Sequence, residues 1–169
     1  MTHLLRYFVA LCLMRATPQQ LQASTALFWL VSTAYWLVSV MLVVKVPLTL
    51  PAAAGASLLD ILLLLGVLRL ALQVTGRTAR FTQAATALLG SSFLFGVAAL
   101  PLLSWGVDEQ GRAGPGAAMI QLLLAVWSLM VMGHILRHTF DISQGRGLAI
   151  AVLYTLLSYV VVMSLFTTG

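Results

Sequence analysis

The chain has 169 residues, 61% of them hydrophobic and only 8% charged, with a mean hydropathy of +1.03. Soluble domains are about half apolar and about a quarter charged, so a water-soluble fold could neither bury this much apolar surface nor coat itself with so few charges. That excludes a soluble catalytic or nucleic-acid-binding domain and predicts an all-α integral membrane protein whose partner is the lipid bilayer.

In chain order, the first element is MTHLLRYFVALCLMRA, residues 1–16. A secretory leader is disfavoured, because Arg15 follows the apolar core directly and no small-x-small cleavage site appears. The segment instead predicts a short interfacial amphipathic helix on the membrane surface, with Leu4, Leu5, Phe8, Val9 and Cys12 toward lipid. Cys12, the single cysteine, is there either a small hydrophobe or an acylation site. It excludes an internal disulfide and any paired-cysteine motif.

Residues 17–169 then read as one transmembrane domain of five helices, at about 17–45, 53–73, 80–105, 116–139 and 146–166. Uncharged runs cover residues 16–44, 81–107, 113–136 and 147–169, each long enough for the roughly 20 residues a span requires. Thr17-Pro18-Gln19-Gln20 has the capping-box pattern with Pro at the first helical position, and so opens the first span. Pro47 and Pro51 bracket a turn. The second span contains Asp60 and Arg69 within LLDILLLLGVLRLAL. Thr75-Gly76-Arg77 ends it. GVDEQGRAGPG (Gly106–Gly116) is a flexible loop, and DISQGRG (Asp141–Gly147) a tight one.

Charge sets the orientation. Five spans with a cytoplasmic N-terminus place Arg6, Arg15, Arg69, Arg77, Arg80, Arg137 and Arg146 inside and only Lys45 and Arg112 outside. Four spans give a weaker asymmetry, so the positive-inside rule favours five. The scattered basic excess serves topology and does not predict a nucleic-acid partner.

Asp60 is the leading site candidate, because a carboxylate near mid-membrane costs about 2.5–3.5 kcal/mol on insertion scales. It is either a cation- or proton-linked site or a hydrogen-bonded tie between helices. By depth its partners are Gln121, Ser158, Tyr159 and, from the outer side, Lys45. Arg69 lies on the opposite face of that helix and near enough to its inner end to snorkel toward phosphates. His134, Arg137, His138 and Asp141 share one face at the inner end of the fourth span. The His spacing matches metal ligation, but headgroup contact at a helix C-terminus is the simpler reading, and no metal is expected. The third span is rich in small residues. Among them Gly90, Ser92 and Gly96 predict close helix packing, and Pro101 predicts a kink. The Trp and Tyr residues, Tyr35 and Tyr154 included, are too dispersed along the chain to form one site; Trp105 fits an interface anchor. No nucleophile motif, phosphate loop, zinc-protease motif or carboxylate pair occurs, so neither enzyme chemistry nor a cofactor is expected.

TALLGSSFLFGVAALPLL (Thr86–Leu103) and VWSLMVMGHILRHTFDISQGRGLAIAVLYTLLSYVV (Val126–Val161) resemble the Yip1-domain family over about a third of the chain. The resemblance implies a five-helix, N-terminus-in membrane protein without catalysis. The DLYGP motif and long N-terminal region of eukaryotic members, which are linked to Rab GTPases and vesicle traffic, are absent. The short loops point instead to a bacterial inner-membrane relative. Two functional readings follow: a membrane-organising or partner-binding factor, acting with membrane proteins or with copies of itself; or a small transporter or channel component with Asp60 on its path. A closed, dry, hydrogen-bonded Asp60 favours the first, and a continuous polar cavity around it favours the second.

Overall fold

A computed structural model of the chain describes residues 2–43, 49–104 and 114–166. Among these residues the structure is all-helical, with six α-helices: α1 (Thr2–Cys12), α2 (Thr25–Val43), α3 (Leu50–Val74), α4 (Phe81–Ser104), α5 (Pro115–Phe140) and α6 (Gln144–Phe166). Five of them, α2 to α6, are long and apolar enough to cross a membrane. Lys45, Pro47, Trp105, Arg112 and most of the Gly106–Gly116 loop lie outside the described residues.

Local chemistry sets the helix ends. Pro51 and Pro115 occupy first-turn positions, where the missing N–H costs nothing. The Ser24 hydroxyl accepts from the Leu27 N–H at 3.3 Å and caps α2. Gly76, at φ +68°, closes α3, and Arg77 N–H returns to the Leu72 carbonyl at 2.8 Å. Asp141 ends α5 in the left-handed conformation (φ 50°), which a short polar side chain tolerates better than most.

The first span differs from expectation. Thr17 and Gln20 do meet, the Gln20 side chain accepting from Thr17 N–H at 3.4 Å, but they open only a single 3-10 turn, Pro18–Gln20. The next residues are not helical, and α2 begins at Thr25. Side chains from the bundle supply or satisfy the hydrogen bonds there: Gln83 donates to the Leu21 carbonyl at 2.8 Å, and Gln19 donates to the His138 carbonyl at 2.7 Å.

The N-terminal helix also corrects the reading of its faces. Leu4, Leu5, Val9 and Leu13 are exposed, but Phe8 and Cys12 are buried against the bundle rather than turned to lipid. Trp127 Nε1 donates to the Cys12 carbonyl at 2.9 Å, and the His134 ring bonds the Ala16 carbonyl at 3.0 Å. From Cys12 to Gln19 the chain thus follows α5 from Trp127 to His138. Cys12 stands about 20 Å along that axis from Phe140, well away from the helix end. Burial pushes its thiol up to about 11, and a buried neutral thiol is no acylation site.

Helix α4 is the packing centre, as its small residues predicted: every residue from 84 to 91 is buried. A methyl group at Gly90 would overlap the Phe8 ring, and one at Gly96 would lie 2.7 Å from Val38 Cγ1. The helix runs through Pro101 to Ser104. An equally close crossing joins α5 to α6, where a methyl group at Gly133 would lie 2.9 Å from Leu148 Cα and one at Gly147 would overlap the Gly133 carbonyl. Outside the core, large apolar side chains such as Trp29, Met41, Leu62, Leu122 and Leu153 ring the bundle, as a lipid-facing surface requires.

Candidate functional site

Asp60 lies on α3, about 15 Å from the Leu50 end and about 21 Å from Val74. Three hydroxyls from two other helices converge on its carboxylate. Tyr35 of α2 donates to Oδ2 at 3.0 Å. Ser158 and Tyr154 of α6 donate to Oδ1, Tyr154 at 3.3 Å, with the Asp60 carbonyl sharing the Tyr154 hydroxyl at 3.2 Å. The carboxylate is thus held in position with no basic partner among the described residues. Of the partners expected by depth, only Ser158 is one. Gln121 instead donates to the Leu102 carbonyl at 3.3 Å, and Tyr159 is 60% exposed at the cavity wall. Lys45 lies outside the described residues.

The carboxylate borders a cavity of about 450 Å³ to which all five long helices contribute. Its polar lining comprises Tyr35 and Ser39 (α2), Ser57 and Asp60 (α3), Ser91 and Ser92 (α4), Ser128 (α5), and Tyr154, Thr155, Ser158 and Tyr159 (α6). Ser91, Ser128 and Thr155 each donate to a carbonyl of their own helix, at 2.9, 2.8 and 2.9 Å. Their protons are therefore occupied, and oxygen lone pairs remain for the cavity. Ser57, one helical turn from Asp60, is only 1% exposed, and its Oγ has no hydrogen-bond partner among the described residues. No described residue lining the cavity is basic. The polar groups of this otherwise apolar surface offer acceptor oxygens and suit a positive charge.

The cavity occupies one half of the bundle. Its lining runs from Leu88 and Met132 up to Val43 and Val162, near the ends of α2 and α6 farthest from the arginines. Leu88, Met132 and Tyr154 also roof a slot of about 30 Å³, whose remaining walls include Leu64, Leu68, Leu136, Phe140 and Ile150. That slot has room for about one water but no polar partners to hold it.

At the arginine-rich end, Asp141 Oδ2 pairs with Arg77 at 2.9 Å and Arg80 at 2.8 Å, and Arg80 also donates to the Thr139 carbonyl at 3.0 Å. The α3–α4 turn is thereby tied to the α5–α6 turn. The expected four-residue face is divided among separate contacts. His134 is buried on the Ala16 carbonyl with the His138 ring edge-on at 4.6 Å, Arg137 reaches Gln144 at 3.4 Å, and Asp141 turns to the arginines. Among the described residues no three His, Cys, Asp or Glu side chains gather as metal ligands. Arg69 stands over the Phe81 ring, 5.6 Å from its centroid.

Tyr35 and Tyr154 are the site residues that sequence reasoning missed. The usable signal was depth: each lies ten residues into its helix, about 15 Å from the end, too deep for an interfacial aromatic belt. Compared with known proteins, the chain matches no family model, no curated protein and no solved structure; the resemblance to the Yip1-domain family gains no support from these comparisons.

Proposed function

We propose that the protein is a small membrane transporter, or the membrane component of one, that receives a cationic solute at Asp60. The observation that carries this reading is a held carboxylate on the wall of a hydroxyl-lined cavity in the middle of a lipid-facing bundle. A polar tie between helices would need the three donors to Asp60. It would not need about 450 Å³ of space beside the carboxylate or a buried Ser57 hydroxyl without a partner among the described residues, an orphaned polar atom that costs stability. This reading therefore stands ahead of a membrane-organising factor. The positive-inside rule assigns the arginine-rich end to the cytoplasm and the cavity to the outer half, and a bacterial inner membrane is the setting we favour. Among the described residues the bundle offers no paired acids or activated nucleophile, and we read it as non-enzymatic and without a cofactor.

The test is access. Ser92→Cys, in a Cys12→Ala background, is treated in intact cells with a membrane-impermeant cationic methanethiosulfonate and with its anionic sulfonate counterpart. Rapid cationic modification, with the anionic reagent at least tenfold slower, is the expected result. If the cysteine reacts with neither until detergent denaturation, while the purified variant elutes as a single species, the cavity is sealed and the transport reading fails.

A further inference from the structure

We infer that the solute is a protonated organic amine with a compact apolar body, bound through Asp60 and Ser57 together. The inference rests on the transport reading above and names its substrate class.

Charge comes first. One carboxylate and no basic side chain among the described lining residues match a monocation. A calcium-like ion takes six to eight oxygen ligands, typically with more than one carboxylate among them, and Asp60 is the one acid among the described lining residues. Size comes second. A volume of about 450 Å³ falls in the range of sites for small organic molecules, roughly 300–1,000 Å³, and far exceeds what a bare ion fills. Surface comes third. Between its polar groups the lining is apolar, at Val43, Leu129 and Val162 among others, with aromatic rings at Phe95 and Tyr35. Apolar walls take a hydrocarbon body, and aromatic rings favour a cation beside them.

The hydrogen-bond inventory distinguishes a protonated amine from a quaternary one. Tyr35, Tyr154 and Ser158 already donate to Asp60, so the carboxylate needs no donor from the ligand to stay in place. Ser57 Oγ is the group still lacking a partner, and it lies one turn along α3 from the charge. An ammonium with N–H bonds can face the carboxylate and donate to Ser57 at once. A fully alkylated ammonium can do only the first.

Modification of Ser92→Cys is the readout, with benzylamine, benzyltrimethylammonium, sodium chloride and benzoate as competitors. Benzylamine is expected to slow modification at micromolar to millimolar concentration, with benzyltrimethylammonium about tenfold weaker and neither sodium nor benzoate protecting. Adding Ser57→Ala should remove benzylamine's advantage over the quaternary analogue without affecting the latter. Asp60→Asn should abolish protection by both. Protection by sodium alone would overturn the organic class while leaving the transport reading intact, and protection by benzoate would overturn the charge assignment. Equal protection by both amines, unchanged by Ser57→Ala, would overturn the role of Ser57. If Ser92→Cys never reacts in the folded protein, the failure belongs to the transport reading itself.

Discussion

Asp60 stands in the apolar run LLDILLLLGVL, where an ionisable side chain is costly, and it is held by Tyr35, Tyr154 and Ser158 from two other helices. A tyrosine ten residues into an apolar run reads as core, interface or site with equal ease; only the bundle geometry selects. Two residue-scale predictions follow from the donors. Tyr35→Phe removes one hydrogen bond between α2 and α3. Interhelical hydrogen bonds in membranes contribute about 0.6 kcal/mol on average and about 1.7 at most, and a charged acceptor places this one near the upper figure. Thermal unfolding in detergent should register that loss. Asp60→Asn keeps one acceptor oxygen and turns the other into an amide donor, which a Tyr35 or Ser158 hydroxyl can meet by rotating its proton and accepting; it should cost no more stability than Tyr35→Phe while eliminating the proposed cation binding. A structural tie would make both fall together. Cys12 gives a third. With its thiol pushed up to about 11 by burial, the thiolate is a small minority at pH 8, and iodoacetamide should leave Cys12 unmodified in the folded protein but alkylate it fully after denaturation.

At the scale of elements, the apolar runs and their charged borders located five long helices to within a few residues, except at the start of α2. The Thr17 capping pattern is real chemistry, but a cap says where a turn begins and not how far it continues. Past Gln20 the non-helical backbone is held by Gln83, which donates to the Leu21 carbonyl, and by Gln19, which donates to the His138 carbonyl in the last turn of α5. No local pattern encodes those contacts. The α5–α6 crossing was also invisible, because Gly133 and Gly147 lie fourteen residues apart on either side of a turn. Their neighbours are backbone atoms, which cannot rotate aside. Gly133→Ala should therefore force the two helices apart and cost about 1–3 kcal/mol, seen as a lowered unfolding temperature. Gly66 supplies the contrast: it is helical, with nothing within 4 Å of an added methyl group. Gly66→Ala should leave packing intact and raise stability slightly, by up to about 1 kcal/mol. If both alanines behave alike, backbone proximity is not what the α5–α6 glycines provide.

The described bundle is asymmetric along its long axis, and the transport cycle we propose would have to move its closed half. The half containing Asp60 is polar and open-packed. The arginine-rich half is closed by Leu64, Leu68, Leu72, Val131, Ile135 and Leu136, all buried, above the Arg77–Asp141 and Arg80–Asp141 pairs. Release toward that end requires the floor at Leu88, Met132 and Tyr154 to part, and the turns below it cannot separate while Asp141 holds both arginines. Each pair is partly exposed and contributes about 0–1 kcal/mol, so the tie biases the closed arrangement without fixing it. Removing it should shift the ratio of closed to open states by about fivefold if the loss is about 1 kcal/mol. The measurement is modification of Ser92→Cys, in the Cys12→Ala background, in inside-out vesicles, with the cationic reagent applied only to the arginine-rich side. The parent variant should react slowly, Asp141→Asn several times faster, and high salt should speed the parent toward the Asp141→Asn rate because screening weakens exposed pairs. Charge alone, with no change in the apolar core, would then be setting how often the site faces the second side. Should Asp141→Asn and high salt both leave the rate unchanged, the ion pairs merely order the turns, and opening at that end is governed by the leucine-rich packing instead.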